Sequence, residues 1–426
     1  MKNTSLAIVG GLGALIMLGL FLSWQPSIAP IEPPARESFG AESVARGQRL
    51  AALGNCVACH TRDGGTPLAG GRAMLTPFGT LYTSNLTPEP KTGIGRWSFD
   101  AFRRAMREGI AREGAYLYPA FPYTAFTRVG DDDLRDLYAY LMSRTAVEAD
   151  TPDNRLPFPY NQRRMMAGWN FLFFDKRPFQ PKPQRDAAWN RGAYLVEGLG
   201  HCSACHTPRN ALGAERTGKQ RFAGATVDGW QVPPLNGGGK PAIPWTQATL
   251  YDYLRNGFSR YHGAAAGPMA SVAAGLAQQP DADLQAMARY LATLLPEQPG
   301  DFSPEKQAAE LEQRTYGTLQ PVSGSGGRLF KGACMACHHD GASPKLNGVR
   351  PSLAVSNNLY APTPDNLLRV ILDGIGNPAR PELGYMPAFR HSLNNAQIIA
   401  LARYLREDFA GLPAWPDLEF KVAKLR

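Results

Sequence analysis

The pentapeptide CVACH at residues 56–60 recurs as CSACH at residues 202–206 and as CMACH at residues 334–338. These three copies contain all 6 cysteines of the 426-residue chain, so none remains for a disulfide. Two cysteines followed by a histidine form the attachment signature of c-type haem, in which the thiols bond to the vinyl groups and the histidine ligates the iron. A zinc site or a redox cysteine pair is the alternative for a single copy. Three complete copies favour three covalently bound haem c groups. The predicted attachment residues are Cys56, Cys59, Cys202, Cys205, Cys334 and Cys337, and the predicted iron ligands are His60, His206 and His338.

Each motif lies in a repeat that carries three helical patterns. One pattern with an early glycine precedes the motif, a second ends at a glycine (Gly109, Gly257 or Gly374), and a third closes the repeat with apolar residues at helical spacing. The pattern predicts an all-α fold of three tandem class I cytochrome c modules at residues 40–148, 186–296 and 321–410. Extended, Pro-rich linkers are predicted at residues 149–185 and 297–320, between an N-terminal segment at 1–30 and a C-terminal tail at 411–426.

The N-terminal segment contains an uncharged run from Leu6 to Trp24. It is longer than the roughly 7–15 residues of a signal-peptide core and close to the roughly 20 that span a bilayer. No small-residue cleavage site follows it, so we expect an N-terminal transmembrane helix, with a removed signal peptide as the alternative. Either form exports the rest of the chain. We therefore expect the haem modules on the periplasmic side of the bacterial inner membrane, where bacteria attach covalent haem.

The charge balance argues against a nucleic-acid partner. The formal net charge is +9, and the propionates of three haems would reduce it to about +3. No basic run or basic–aromatic stripe is present, so the sequence predicts no nucleic-acid binding.

A methionine lies at the same distance from the helix-ending glycine in two of the repeats. Met269 follows Gly257 by 12 residues, and Met386 follows Gly374 by 12 residues. Because an electron-carrying c haem usually takes methionine as its second axial ligand, we predict the ligand pairs His206/Met269 and His338/Met386. The same offset from Gly109 reaches Phe121, which cannot ligate iron.

The first haem therefore has an open or water-bound iron, or takes its sixth ligand from elsewhere. The methionines of the first repeat and of the linker behind it are the candidates: Met74, Met106, Met142, Met165 and Met166.

The chain resembles the tri-haem cytochrome c subunits of bacterial membrane-bound dehydrogenase complexes. The resemblance covers about residues 40–410 and includes the three motifs, TPFGTLYTSNLTPEPKTGIGRWS at 76–98, HTPRNALGA at 206–214 and HGAAAGPM at 262–269. It implies a catalytic partner subunit that uses PQQ, FAD or molybdenum with iron–sulfur clusters, and ubiquinone as the electron acceptor. The family usually has PAMPY where this chain has PAFPY at 119–123. Together with MAGWN at 166–170, this departure resembles the subset paired with molybdenum hydroxylases, such as aldehyde dehydrogenases.

The leading hypothesis is electron transfer by a subunit that is not an enzyme alone, because no nucleophile–base pair or phosphate loop appears in the sequence. A multihaem enzyme using an open first haem, peroxidase-like, is one alternative. A stand-alone periplasmic electron shuttle is the other.

Overall fold

The computed structural model describes residue 19 and residues 23–316, 324–338, 352–376, 378 and 380–426. The chain forms two compact units. The N-terminal unit comprises Met1–Pro181, Glu197–His201 and Ala211–Ala214, and the C-terminal unit comprises Lys182–Val196, Cys202–Asn210 and Glu215–Arg426.

The N-terminal unit is built from short helices and one hairpin. In chain order these are α1 (Ala41–Leu53), α2 (Cys56–Cys59), β1 (Ala73–Thr76), β2 (Gly79–Tyr82), α3 (Phe99–Glu108), α4 (Tyr123–Phe126), α5 (Asp131–Met142) and α6 (Met165–Phe173).

The C-terminal unit contains the remaining elements, apart from Glu197 at the end of its first helix. They are α7 (Ala187–Glu197), α8 (Ser203–His206), β3 (Ala225–Val227), β4 (Trp230–Val232), α9 (Gln247–Asn256), β5 (Phe258–Ser259), β6 (Gly263–Ala264), α10 (Pro268–Leu276), α11 (Asp281–Ala292), α12 (Pro304–Tyr316), α13 (Gly324–Ala333), α14 (Met335–His338), α15 (Asn357–Tyr360), α16 (Asp365–Asp373), α17 (Asn395–Tyr404) and α18 (Leu418–Leu425).

The first and last helices of each repeat cross in close contact at a glycine. A Cβ at Gly47 of α1 would lie 1.9 Å from the carbonyl oxygen of Asp136 in α5. The same substitution at Gly192 would place a Cβ 1.9 Å from the Ala286 carbonyl oxygen, and at Gly326 it would lie 2.2 Å from that of Ala400. Only glycine lets the two backbones approach this closely. The early glycine of each sequence repeat therefore defines the same helix crossing three times.

Replacing Gly47 by Ala should separate α1 from α5. Because the nearest atom is backbone rather than a flexible side chain, we expect the free energy of unfolding to fall by about 3 kcal/mol or more. Gly168 in α6 is the matched control, since no atom lies within 4 Å of a Cβ placed there. Gly168→Ala should change stability by no more than about 1 kcal/mol, in the stabilising direction. Urea unfolding of the two holoprotein variants compares them, and equal midpoints would contradict the close crossing.

The helices before the predicted sixth-ligand loops end in the left-handed region. Gly109 follows α3 with φ 64°, and Gly257 follows α9 with φ 67°. Ser98 caps the start of α3 by accepting a hydrogen bond from the Ala101 N–H, and Thr246 with Thr249 forms a capping box on α9. Sequence signals at both ends thus define these helices.

The predicted all-α fold with an N-terminal transmembrane helix is wrong. The described part of the chain contains three two-stranded antiparallel sheets: β1–β2, β3–β4 and β5–β6. They form because the long loops between helices must pair their backbone groups. At the β3–β4 turn, Asp228 has φ 50° and Gly229 has φ 75°, the conformation of an Asp-Gly type I′ turn that closes a hairpin.

The described residues give no support to the transmembrane part of the prediction. Among the described residues, no helix is long and apolar enough to cross a membrane. Of the run predicted to span, Leu6 to Trp24, only residues 19, 23 and 24 are described. Trp24 already lies outside any helix, and farther on the backbone N–H of Ile28 donates to the Arg112 carbonyl oxygen. The chain there follows the surface of the N-terminal unit because its backbone finds hydrogen-bond partners in that unit.

Both linkers contain helices where the Pro-rich sequence predicts extended chain, and the tail contains one as well. The first linker contains α6 and the second contains α12. The tail forms α18, where Leu418 and Val422 are buried in the core that α16 and α17 build. The ammonium group of Lys421 also lies 2.9 Å from the Asp365 carboxylate. The tail thus completes the core of its own unit.

Candidate haem sites

All three cysteine–histidine motifs form a single helical turn. In each copy the backbone N–H of the histidine donates to the backbone carbonyl oxygen of the first cysteine: His60 to Cys56 (2.8 Å), His206 to Cys202 (3.0 Å) and His338 to Cys334 (2.9 Å). Residues three apart in a helical turn lie on one face, so both thiols of each copy point to the same side. The turn therefore presents two thiols and one imidazole together, as attachment to a single haem requires.

The imidazoles of the first two motifs are held in one tautomer. His60 Nδ1 lies 2.7 Å from the Ser84 carbonyl oxygen, and His206 Nδ1 lies 2.7 Å from that of Pro233. Because a carbonyl oxygen can only accept, Nδ1 must carry the proton, which leaves the Nε2 lone pair available for a metal. Burial lowers the pKa of both histidines, although the carbonyl hydrogen bonds oppose it. Both rings are thus held in the neutral form that ligates iron.

Met269 lies on the second residue of α10, at the end of a tightly packed loop. Its side chain packs with Tyr253 against Ala265 and Ala273. The loop turns at Gly267 with φ 55°, where an added Cβ would lie 2.3 Å from the ring of Trp230. A side chain here would displace that ring, so glycine is required for Trp230 to cover the backbone just before Met269.

The equal offset of 12 residues does not give equal backbone positions in the three repeats. In the third repeat, Met386 itself pairs with Ile375, the residue after the helix-ending glycine, through hydrogen bonds of 2.9 and 3.1 Å. In the first repeat the residue after the glycine, Ile110, pairs instead with Tyr116. The second repeat follows the first, with Phe258 opposite Ala264. The three residues thus share the offset of 12 in sequence, but the backbone pairing after the glycine differs between the third repeat and the first two.

Phe121 lies in an aromatic cluster of the N-terminal unit. Its ring is 5.3 Å from that of Phe126 and 6.5 Å from that of Tyr123. Phe126 in turn contacts His201 edge-on at 5.5 Å. His201 directly precedes the second motif in sequence, and its Nε2 lies 3.2 Å from the Gly54 carbonyl oxygen, just before the first motif.

The alternative methionines for the first iron differ in their surroundings. Met106 and Met142 are buried in the helices α3 and α5, and Met74 is half-buried on β1. At the start of α6, Met165 is exposed and Met166 is half-buried.

His262 is a buried residue that the sequence did not distinguish from a surface histidine. Its Nδ1 is 2.8 Å from Ser259 Oγ, and its Nε2 is 3.0 Å from the Ile243 carbonyl oxygen. The ring stacks on Trp245 with 3.4 Å between centroids. Burial lowers the pKa of His262 to about 4. Both ring nitrogens have hydrogen-bond partners, so the His262 side chain links the loop that leads to Met269 to Ser259 and Ile243.

The residues present therefore fit haem c at the first two motifs. Each site combines a pair of thiols on one face of a turn with a neutral imidazole whose Nε2 is available. The third motif forms the same turn, and residues 339–351 behind it lie outside the described residues. A chain built from such units is a c-type cytochrome.

Comparison with known proteins agrees with this class. Residues 44–145 match the family described as Cytochrome c, and residues 187–291 and 323–405 match Cytochrome C oxidase, cbb3-type, subunit III. The chain belongs to the family of cytochrome c subunits of dehydrogenase complexes, as the sequence resemblance predicted.

Three relatives illustrate the family. The chain is 36% identical to the gluconate 2-dehydrogenase cytochrome c subunit of Pantoea cypripedii, over 85% of both chains. It is 33% identical to the fructose dehydrogenase cytochrome subunit of Gluconobacter japonicus, over 94% of this chain and 85% of that one. It is 53% identical over 99% of its length to a nicotinate dehydrogenase subunit of Pseudomonas putida, of which it spans only 35%.

Proposed function

We propose that this chain binds three haem c groups and carries electrons from a substrate-oxidising dehydrogenase subunit to ubiquinone. The main support for this proposal is the repeated turn that pairs two thiols with an imidazole. The hydrogen bonds from Nδ1 of His60 and His206 to backbone carbonyl oxygens support it further. A bound haem supplies a one-electron carrier. The chain's own residues orient the ligands and exclude water. The proposed modules are residues 40–148, 186–296 and 321–410.

The proposed ligands divide the haems into two kinds. His206 with Met269 and His338 with Met386 would give two irons a thioether ligand, which favours the reduced state. His60 has no such partner at Phe121, so the first iron would be either open or bound by a linker methionine, Met165 or Met166. The potentials would then differ along the chain of carriers.

The proposed partner is a catalytic subunit that oxidises a small organic molecule. The PAFPY and MAGWN segments at 119–123 and 166–170 favour the molybdenum and iron–sulfur type, such as an aldehyde dehydrogenase. The 53% identity to a nicotinate dehydrogenase subunit makes a nicotinate-oxidising partner a second candidate. FAD and PQQ subunits remain the alternatives that the other family members suggest.

The proposed location is the periplasmic face of the bacterial inner membrane. Covalent haem is attached on that side, and ubiquinone is dissolved in the bilayer. Electrons would therefore leave the protein at a surface next to the lipid.

Reconstitution tests this function. The isolated holoprotein should neither oxidise an aldehyde nor oxidise nicotinate, because it has no substrate-oxidising group. Adding the catalytic subunit with its substrate should reduce the haems within the mixing time and then support reduction of a soluble ubiquinone analogue. Substrate oxidation by the cytochrome alone would overturn the proposal, as would haems that stay oxidised when the working catalytic subunit is added.

A second candidate function rests on Phe121. An open iron at the first haem would bind peroxide, so the isolated protein would act as a peroxidase. Peroxide turnover by the purified cytochrome with a small electron donor would favour this enzyme over the electron-transfer subunit. A stand-alone shuttle is the third form, favoured if the protein reduces other acceptors without forming a complex.

The change Phe121→Met should raise the potential of the first haem. A thioether in place of the ring would ligate the iron and stabilise its reduced state, by on the order of 100 mV within the about 0.8 V range of axial ligation. Redox titration followed by visible spectroscopy measures the shift. Phe126→Met is the matched control, because it places a thioether 5.3 Å away, at the neighbouring ring. Equal potentials in wild type and Phe121→Met, or an equal rise in the control, would contradict position 121 as the sixth-ligand position of the first haem.

A further inference from the structure

The helix α6 in the first linker exposes large apolar side chains on its outward face. Phe171 is 89% exposed, Leu172 is 64% exposed and Met165 is 49% exposed. Met165 and Leu172 lie two helical turns apart on one face, and Phe171 adjoins that face. On the opposite face, the amide of Asn170 accepts a hydrogen bond of 2.6 Å from Tyr123 Oη. The outward face of a helix on a water-facing surface is usually polar, so large apolar side chains on this face depart from the usual pattern.

The orientation of α6 is held by contacts of its inner face. Trp169 Nε1 donates to the Leu212 carbonyl oxygen at 2.9 Å, and its ring lies 6.4 Å from that of Tyr123. Phe174, just after the helix, also contacts Tyr123 edge-on at 5.1 Å. Rotating the helix to hide Phe171 would break all these contacts. The outward apolar face is therefore part of the fold.

Basic residues flank this face at both ends. Residues 155–181 contain a single acidic residue, Asp175, against these five basic ones: Arg155, Arg163, Arg164, Lys176 and Arg177. All five are exposed. Lys176 pairs with Glu108 and Arg177 pairs with Asp175, so the net positive charge comes mainly from the three arginines before the helix. Apolar and aromatic side chains on one face with cations at the edges are the pattern of a helix that lies in the interface of an anionic bilayer. The upstream rings of Phe158 and Tyr160 are exposed as well and extend the apolar surface.

The uncharged N-terminal run meets the folded unit next to this helix. Gln25 Nε2, directly after the run, donates to Tyr116 Oη at 3.1 Å. Arg163, just before α6, donates to the backbone carbonyl oxygen of the same Tyr116 at 3.0 Å. The most apolar stretch of the sequence thus joins the unit beside the exposed apolar helix.

We infer that α6 is a membrane-docking helix that lies in the headgroup region of an anionic bilayer. Phe171 and Leu172 enter the apolar layer, and the arginines before the helix contact lipid phosphates. The inference rests on the proposed location at the inner membrane and names the surface that binds there. A docking site for the catalytic subunit is the competing use of the same face.

Photocrosslinking in the producing cell distinguishes lipid from protein. A photoreactive phenylalanine at position 171 of the full chain should become joined to phospholipid, seen as a lipid-sized mass increase on the peptide around residue 171. The same group at Leu75, which is 81% exposed on β1, should not join to lipid. A crosslink from position 171 to a polypeptide would assign the face to a protein partner and overturn the inference. An uncrosslinked residue 171 would overturn it too.

Vesicle binding of the purified holoprotein measures the energetic contribution. Phe171→Ser with Leu172→Ser should weaken binding to phosphatidylglycerol vesicles by at least about tenfold, because two large apolar groups no longer enter the bilayer. Leu75→Ser is the matched control and should leave binding unchanged. Wild-type binding should also weaken on phosphatidylcholine vesicles and in high salt. Equal affinity of wild type and the double variant would overturn the inference.

These outcomes are independent of the proposed electron transfer. Because both serine substitutions are at exposed positions, the variant should keep its haem spectrum and should still accept electrons from the catalytic subunit in detergent. Loss of vesicle binding with intact haem reduction supports the docking helix. Failure of haem reduction in the wild type would instead count against the proposed function, whatever the vesicles show.

Discussion

The holoprotein should carry three covalent haem groups, and the double change Cys202→Ala with Cys205→Ala should leave two. Both thiols of the second motif lie on one helical turn and are the proposed attachment points, so their loss should remove the bonds that hold that haem. Intact mass spectrometry gives the count directly, as the excess over the polypeptide mass. Reduction of a ubiquinone analogue by the reconstituted complex should fall to background, because one carrier is missing from the proposed chain.

His391→Ala is the control for this experiment. His391 is exposed and lies outside the three motifs, so this variant should keep all three haems and its quinone reduction. A wild-type mass with only two added haem units would refute the predicted count, and so would an unchanged mass in the double cysteine variant.

Replacing Met269 by Ala should lower the potential of the second haem by on the order of 100 mV or more, a part of the about 0.8 V that axial ligands cover. Methionine stabilises reduced iron, and alanine has no atom to donate. The Met269 side chain packs with Tyr253 against Ala265 and Ala273, so the change also opens a space that water can enter. A redox titration should show one of the high-potential steps move down while the other stays.

Met287 provides a matched control in the same repeat. It lies on α11, is 1% exposed and belongs to the apolar core. Met287→Leu conserves volume and should cost less than about 1.5 kcal/mol of stability, with no change in any potential. If Met269→Ala behaved like Met287→Leu, Met269 would be a core residue and the ligand would have to be sought elsewhere.

Much of this protein could be predicted from local sequence patterns. The three motifs predicted c-type haem, and the resemblance carried by these motifs and three longer stretches predicted a cytochrome c subunit of a dehydrogenase complex, a family that the comparisons confirmed. The thiols and the imidazole of the motif are neighbours in the sequence, so its chemistry can be recognised without the fold. The glycines after α3 and α9 were equally local signals, because the chain there needs the left-handed conformation. The individual iron ligands, the haem count and the module boundaries stay predictions.

The wrong parts of the sequence analysis concerned partners that are distant in the chain. The hairpins that make the fold more than all-α pair short strands of two to four residues, too short for a periodic signal, although Asp228-Gly229 carries the turn chemistry. The helix α6 lies in a linker that was predicted to be extended because of its prolines. The sequence left open whether the tail docks on a partner or follows the surface, and the structure shows α18 packed in the core that α16 and α17 build.

Local sequence established which atoms can bond to haem, because thiols and imidazole at this spacing act within a single turn. The folded chain was needed to show which nitrogen of His60 and His206 is available, since the carbonyl oxygens of Ser84 and Pro233 come from loops far along the chain. It was also needed to show that Phe171 faces outward, because Tyr123 holds the inner side of α6. Such orientations depend on contacts between residues distant in sequence, which local patterns do not encode.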